Sequence, residues 1–434
     1  MISSSHPKNS RIIDTFTVES NDVEKKGEVV VSVQTAPTSA LVFPEGGRQA
    51  WLSLIGAYIG AFGVYQDFYV REYLTEHTPS EIGWIGGIQI MLTFSAGIFV
   101  GRAFDRGYFY HLMICGAIIH GLAIFMLSLS HKDSYYQVFL TNGVMMGLSA
   151  GICYIPSLGI GTHYFMKKRS MAMGIATSGS ALGSVLHPIM LNQFFGGSIG
   201  FHKGVRISGG INLALFVIAI IIMRTRLPPK SAQKFPILSW MKEPAYLALF
   251  IGSWFVFLGL FYPIFYIQLS AIKHGIDHTF AFYSLSILNG ASVLGRILPG
   301  VLAPRLGAYN LLSFCGIVAG VVVIFMVFAN DVTSVTLVAI FYGLFSGSSI
   351  ALVPSVVGSL CANMNEFGTR MGIMFFWIKG ILGLFATPIS GALLTSDYHW
   401  IRADLFSGIS LIVAGIFFLI SRYFVSKQRN TQIL

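Results

Sequence analysis

The chain has 434 residues, of which 54% are hydrophobic and only 11% are charged, and its mean hydropathy is +0.70. This composition excludes an ordinary soluble domain and indicates a polytopic protein that spans a lipid bilayer. The net charge of +10 comes from short cation clusters between apolar segments, a placement that argues against nucleic-acid binding.

The first 43 residues differ in composition from the rest of the chain. They are rich in Ser, Thr, Asn and charged residues and contain no apolar run as long as a signal peptide requires. Such a segment offers too little apolar surface for a packed core. We therefore expect a disordered cytosolic tail over residues 1–43.

Twelve apolar segments follow, each long enough to cross the hydrocarbon core of a bilayer, which is about 30 Å thick. The sequence therefore predicts an all-α membrane protein with twelve transmembrane helices. The segments lie near residues 49–70, 81–101, 108–130, 135–161, 170–195, 205–224, 244–270, 279–303, 308–329, 332–361, 369–394 and 400–425.

Lys and Arg residues cluster on one side of these segments. Because cytosolic loops carry an excess of cations, the clusters place both termini in the cytosol, including a short C-terminal tail at residues 426–434. The expected location is the plasma membrane, with a vacuolar or other internal membrane as the alternative. The clusters are Arg102 with Arg106, Lys167–Arg169, residues 224–242, Arg305, Arg370, and Lys427 with Arg429.

The longest loop between segments covers residues 225–243 and divides them six and six. Its three prolines and its charge are typical of a linker, which we expect to join halves at residues 44–224 and 244–425. The sequence predicts that the two halves are pseudo-symmetric. An offset of 200 residues pairs Gly143 with Gly343, Gly183 with Gly383, and Pro188 with Pro388.

The stretch from Tyr164 to Gly183, YFMKKRSMAMGIATSGSALG, joins a cation cluster to a helix rich in small residues. Small residues here recur at spacings of four, three and four, which places them on one helical face and permits close approach of another helix. That face serves either gating between the halves or ordinary packing, and Pro188 and Pro388 would allow helices to bend. The face consists of Ala172, Ala176, Gly179 and Gly183.

The same stretch resembles the fifth-helix signature of the monocarboxylate transporter family, in the fungal branch of the major facilitator superfamily. Residues 44–51, PEGGRQAW, resemble that family's approach to its first helix, except that Arg48 stands where an aromatic residue is usual. Further similarity lies in residues 63–67, GVYQD, and 289–300, NGASVLGRILPG, so the resemblance covers about residues 44–425. It implies the major facilitator fold and transport of a small organic anion, a monocarboxylate or related metabolite, by alternating access.

A loop after the second segment, GRAFDRG at residues 101–107, resembles a superfamily loop with its glycines shifted. Asp105 and Arg106 in this loop are candidates for a cytosolic latch. Asp105 would meet a cation or a helix N-terminus in one conformation and lose that contact in the other. The alternative is a pair of solvated loop charges with little effect on stability.

Two ionisable residues, Arg296 and Lys379, lie well inside predicted helices. Lipid cannot solvate such charges, so they normally face a cavity or a partner. The resemblance implies that Arg296 binds a substrate carboxylate, for which its paired donors are suited. Lys379 is the second substrate-binding candidate, as an anion site or a switchable charge, because a buried lysine shifts its pKa readily. The alternatives are a snorkelling or bracing role for Arg296 and a structural ion pair or a misjudged helix boundary for Lys379. Ser292 and Gly60 replace an aspartate and a lysine of the family, which leaves proton coupling open.

Other polar and aromatic residues are weaker candidates. His111, His120, His187 and Asp67 lie in predicted helices, where hydrogen-bonded packing is the commoner role. Aromatic residues that include Phe257 and Tyr262 crowd the seventh segment and either line a substrate path or face the core or lipid.

No sequence motif indicates catalysis. The four cysteines lack metal-ligand spacing, and no ATP-binding loop or catalytic triad is found, so we expect neither an enzyme nor a cofactor or metal. Two functions remain: a secondary transporter of a small organic anion, with proton coupling open, or a non-transporting nutrient receptor on the same scaffold. The oligomeric state is not specified by the sequence, and a monomer is the expected form.

Overall fold

Helices account for almost all of the residues whose placement is defined. The computed structural model describes residues 45–60, 79–166, 168–226, 237–361, 366–394 and 399–431, and no strand occurs among them. These residues all belong to one unit, Phe43–Leu434. The predicted tail at residues 1–43 lies outside the described residues, as does the linker between residues 227 and 236.

Within the described ranges, twelve helical segments match the predicted ones in order and approximate position. They are α1 (Arg48–Gly60), α2 (Pro79–Ser95 and Gly97–Asp105), α3 (Phe109–Leu127), α4 (Tyr135–Val138, the π-helical Phe139–Met145 and Met146–Thr162), α5 (Arg169–Gly196), α6 (Gly200–Ile222), α7 (Pro244–Lys273), α8 (His278–Leu306), α9 (Ala308–Phe325 with a 3₁₀ turn Met326–Phe328), α10 (Val332–Leu360), α11 (Phe367–Met374, the π-helical Phe375–Ile381 and Leu382–Leu394) and α12 (Trp400–Arg429). A short helix, Ile237–Trp240, precedes α7.

Nine of these segments are long and apolar enough, within the described residues, to cross a membrane. The other three are α1, α5 and α11. The described part of α1 is short, and α5 is rich in small and hydroxyl residues. The all-helical fold predicted from the sequence is confirmed.

The helices α8 and α10 begin at aspartates that cap them. The Asp277 carboxylate accepts hydrogen bonds from the backbone N–H groups of Phe280 and Thr279, and these lower the pKa of Asp277. Asp331 caps α10 with Ser334 in a capping box, and the Ser334 hydroxyl contributes most to its lowered pKa. Both caps therefore stabilise the fold at neutral pH, and each contribution is lost as the pH falls through the pKa of the folded state.

Within each half, a glycine brings two helices into backbone contact, and the helix pairs of the two halves are equivalent. A Cβ built on Gly143 of α4 would lie 3.3 Å from the Ile85 carbonyl oxygen of α2, and one built on Gly343 of α10 would collide with the Leu288 carbonyl of α8. The α2–α4 pair and the α8–α10 pair thus pack through matching glycines at the 200-residue offset. This packing agrees with pseudo-symmetric halves.

We expect Gly295→Ala to destabilise the protein, because its Cβ would collide with the Leu344 backbone carbonyl, which cannot move without separating α8 from α10. Overpacking of this kind costs about 1–3 kcal/mol. Gly290 on the same helix has no atom within 4 Å of its Cβ position, so Gly290→Ala is the matched control. Thermal unfolding of the purified variants in detergent measures the difference, and equal midpoints would contradict the tight contact.

Candidate functional site

The two halves meet where α5 crosses α8. A Cβ built on Gly174 of α5 would collide with the Arg296 carbonyl of α8, and one on Gly300 would lie 2.6 Å from the Ser170 carbonyl oxygen. The Ser170 hydroxyl also lies 2.5 Å from the Ser355 hydroxyl of α10. Helices from opposite halves are therefore in backbone contact here, and a larger residue would push them apart.

Arg296 lies inside this crossing, with 7% of its surface exposed. Its guanidinium donates hydrogen bonds to the Thr177 carbonyl and the Ser180 hydroxyl, both on α5. Its Nε has no hydrogen-bond partner among the described residues. The structure thus places a buried cation at the interface of the halves with neutral acceptors around it, an arrangement that would favour an approaching anion.

Four aromatic rings from both halves form a cluster beside Arg296. Phe94 of α2 lies edge-on to Tyr154 of α4 and to Phe375 of α11, with centroids 5.5 Å apart in both pairs, and 6.3 Å from Phe257 of α7. Tyr154 also interacts electrostatically with the Arg296 guanidinium. Phe94 and Tyr154 are only partly buried. The cluster can therefore offer flat apolar surface to a ligand whose charge meets Arg296.

The predicted latch residue Asp105 lies at a second contact between the halves. Its Oδ2 is 2.9 Å from a Cβ built on Gly368, in the first turn of α11. Gly101 of α2 also packs on the Gly368 carbonyl oxygen, with a Cβ distance of 3.1 Å. A carboxylate at a helix N-terminus is electrostatically favourable, so the position suits the predicted role. Arg106 follows α2 and is exposed.

Arg370 fixes the start of α11 to the residues that precede α7. Its guanidinium binds the Glu243 carboxylate at 2.8 and 3.1 Å and the Glu366 carboxylate at 3.1 Å. It lies over the rings of Trp240, at 4.6 Å, and Tyr246, at 5.3 Å. The first turn of α11, which contacts Asp105, is thereby held to α7 and to the residues just before α7.

Two of the stretches that carry the family resemblance, residues 44–51 and 164–183, are in contact. The Glu45 carboxylate accepts hydrogen bonds from the backbone N–H groups of Met166, at 2.8 Å, and Lys168, at 3.0 Å. The rings of Trp51 and Phe165 are 5.7 Å apart. The residues before α1 are therefore in contact with the loop before α5. Arg169, the first residue of α5, is buried against Gly358 of α10.

The contacts of α5 with α8 that are assigned to residues involve Ser170, Gly174, Thr177 and Ser180, none of which belongs to the small-residue face. Gly179 and Gly183 are buried, as are Ala172 and Ala176, but the α8 side of the helix carries Gly174 and Thr177. At about 100° per residue, Gly174 and Thr177 lie about 100° or more around the helix from every residue of that face, whereas Ser180 lies only about 40° from Ala176. Ala172 instead approaches Gly161 of α4, with 4.0 Å between Cβ positions. The gating role of Gly179 and Gly183 stays a prediction.

The structure describes only some of the remaining residues that the sequence suggests as candidates. Lys379 falls in the π-helical turn of α11 and Pro388 in its last part, but their side chains lie outside the described residues, as does all of Asp67. Pro188 lies within α5. His111 is exposed at α3.

The structure groups His120 and His187 around Asn212 of α6. The Asn212 amide nitrogen is 3.5 Å from His120 Nε2, and Asn212 also interacts with His187. This buried polar group joins α3, α5 and α6 within one half. Among the described residues, no group of three or more His, Cys, Asp or Glu is arranged to hold a metal ion.

Comparison with known proteins gives a family match and several relatives. The Major Facilitator Superfamily model matches residues 50–380. The aspyridones efflux protein apdF of Emericella nidulans is 36% identical, over 90% of this chain and 81% of that protein. The agnestins efflux protein AgnL12 of Paecilomyces divaricatus is 35% identical, over 93% of this chain and 94% of that protein.

Solved structures share the fold at low sequence identity. The crystal structure of FucP, a Major Facilitator Superfamily transporter, in the outward conformation superposes with a TM-score of 0.67 at 15% identity. It covers 86% of this chain and 99% of that one. This similarity concerns the helical architecture alone.

Proposed function

Because the chain belongs to the major facilitator superfamily, we propose that it acts as a monomeric secondary transporter that exports a small organic anion by alternating access. Two of its relatives are named as efflux proteins, one for aspyridones and one for agnestins, which supports export as the direction. A monocarboxylate or a related acid remains the substrate class that the sequence resemblance suggests. Family and fold point to transport rather than to catalysis.

The observation that carries the substrate class is the position of Arg296 beside the aromatic cluster. The guanidinium has an unused donor among the described residues and neutral partners on α5. Phe94 and Tyr154, whose rings adjoin each other, are only partly buried residues. A substrate that combines a carboxylate with a flat apolar ring system would satisfy both parts of this site.

Alternating access would break and remake the contacts between the halves. The contacts at α5–α8 and α2–α11 lie towards the helix ends that carry the predicted cytosolic cation clusters. In the described conformation these ends are therefore packed together. Release of Arg296 from Thr177 and Ser180 would accompany opening, so the site can change its contacts with the conformation. The relatives do not favour the nutrient receptor, the other function considered.

The proposed function has a direct test in proteoliposomes that contain only this protein. We expect counterflow of labelled aromatic carboxylic acids, weaker counterflow of short aliphatic monocarboxylates, and little exchange of the neutral amides. Liposomes without protein and the Arg296→Gln variant serve as controls. Equal exchange of acids and amides would contradict anion transport, and the absence of exchange for every acid would reject the substrate class.

We propose a cytosolic location for both termini and for the linker, in the plasma membrane. The support is the one-sided distribution of cations. In a background without native cysteines, Lys230→Cys should resist a membrane-impermeant thiol reagent applied to intact cells and react after permeabilisation. Strong labelling in intact cells would invert the orientation.

A further inference from the structure

Asp404 is a buried carboxylate that sequence analysis does not single out. It lies in α12 with 2% of its surface exposed, and no other Asp or Glu is buried to this degree among the described residues. No Lys, Arg or His in the described part of the chain forms an ion pair with it. An ionised carboxylate in such a place would cost several kcal/mol, so it requires a functional or structural explanation.

A polar partner of Asp404 is Tyr262 of α7. The Tyr262 hydroxyl interacts with the Asp404 carboxyl, yet this hydroxyl and Asp404 Oδ1 both lack an ordinary hydrogen bond among the described residues. Tyr262 is 1% exposed, and its ring lies 5.4 Å from that of Tyr266. The pair is therefore enclosed between α7 and α12 without its hydrogen-bonding capacity being filled.

Asp404 and Tyr262 lie beside a turn of α7 that lacks one intrahelical hydrogen bond. Pro263 has no backbone N–H, so it leaves the Gly259 carbonyl without its intrahelical donor. The Ser407 hydroxyl of α12 donates to that carbonyl at 2.6 Å, one turn after Asp404. The next carbonyl, that of Leu260, accepts a hydrogen bond from the Tyr342 hydroxyl of α10. Side chains of α10 and α12 thus form hydrogen bonds to the backbone of the α7 turn that contains Pro263, and α12 is the helix that carries Asp404.

The same turn leads to the candidate substrate site. Phe261, next to Tyr262 in the chain, has its ring 4.8 Å from that of Phe257. Phe257 belongs to the aromatic cluster through its contact with Phe94. A change in the shape of α7 near Pro263 would therefore move a ring that contacts both halves.

Apart from Tyr266, the other titratable or charged groups on α7 and α12 lie towards the helix ends. Tyr246 near the start of α7, and Arg422, Tyr423, Lys427 and Arg429 in the last part of α12, are about 16 or more residues along the chain from Tyr262 and Asp404 respectively. Lys273 and His274 at the end of α7, and His399 and Arg402 at the start of α12, are exposed. Tyr266 lies beside Tyr262. Leu382–Leu394 of α11 has no titratable residue, and α9 has only Tyr309 and Cys315, towards its other end.

We propose that Asp404 is a proton-binding site that couples proton movement to transport, an inference that rests on the transporter function proposed above. In the described conformation the enclosed carboxyl holds one proton and is neutral. When α7 and α12 rearrange and water reaches the site, the proton passes from the carboxyl oxygen to that water and leaves a carboxylate. Tyr262 then donates its hydroxyl hydrogen bond to the charged form.

Infrared difference spectroscopy of the full-length protein in liposomes tests the proton site without any substrate. We expect a carboxyl C=O band that titrates between about pH 4 and 9 and is lost in Asp404→Asn. Tyr262→Phe should move the titration midpoint up by about one pH unit, because the carboxylate loses a hydrogen bond. Asp277→Asn, which alters an exposed carboxylate, is the control and should keep the band.

Two results would overturn the proposal: a band that persists in Asp404→Asn, or no Asp404-dependent band in the tested range. If Asp404→Asn fails to accumulate, an unchanged midpoint in Tyr262→Phe rejects the site. With a transported acid in hand, Asp404→Asn should lose accumulation driven by a pH gradient and keep exchange at equal pH. If no acid is transported, the proposed function fails while the titration still decides the proton site.

Discussion

Replacing Arg296 with glutamine should nearly abolish binding of an anionic substrate, and replacing it with lysine should weaken binding by about 1.5–3 kcal/mol, a loss of roughly 10- to 150-fold. Lysine keeps the charge but loses the paired donors of the guanidinium. Glutamine loses the charge at a residue that is 7% exposed. Affinities of the purified protein for an acid and its neutral amide measure both effects.

Two further variants make this test specific. Arg402→Gln removes an exposed cation from α12 and should leave affinity unchanged. Lys379→Gln should weaken binding of the acid and spare the amide if Lys379 is a second anion site. Equal losses for acid and amide at Arg296 would refute carboxylate recognition. A bracing arginine predicts a different pattern, with reduced stability of Arg296→Gln and intact affinity.

Gly174→Ala should shift the protein away from the described conformation, and Gly174→Leu should block transport. The added Cβ would collide with the Arg296 backbone carbonyl, so α5 and α8 must separate. A cost of about 1–3 kcal/mol would change the ratio of conformations by roughly 5- to 150-fold. Ser355→Cys is a suitable reporter, since Ser355 is buried against Ser170, and its alkylation should accelerate in Gly174→Ala.

Gly210→Ala provides the matched control, because no atom lies within 4 Å of its Cβ position on α6. An unchanged alkylation rate in Gly174→Ala would show that the α5–α8 contact does not set the conformation. Gly179→Leu and Gly183→Leu test the other side of α5, and both should reduce transport more than abundance. If these variants only fail to accumulate, that side is a packing surface.

The position of Arg296 could be predicted from the sequence, but its surroundings could not. A single cation in an apolar segment is visible without a structure. Its partners Thr177 and Ser180 are 119 and 116 residues away and are uncharged, so nothing in the sequence marks them. The aromatic cluster is hidden for a related reason: the chain has 36 phenylalanines, and no local pattern distinguishes Phe94 or Phe375.

Helix faces and depths were harder to predict than helix positions. Small residues at helical spacing on α5 predict close packing, yet that pattern does not say which neighbour is approached. Asp404 lies four residues after Trp400, where a carboxyl is expected near a membrane surface. Its burial depends on α7, whose Tyr262 is 142 residues earlier in the chain, and such a contact leaves no local sequence pattern.

The glycine contact between α8 and α10 constrains how the candidate site around Arg296 can open. Gly295 is fixed against the Leu344 carbonyl, and Arg296 is the next residue on the same helix. The base of the arginine side chain therefore cannot slide along α10 on its own. Its guanidinium can leave α5 by adopting a new rotamer, or when α8 and α10 move together as a rigid body relative to α5. Access to Arg296 therefore depends on the angle between the α8–α10 pair and α5. The α8–α10 pair does not need to change its internal packing.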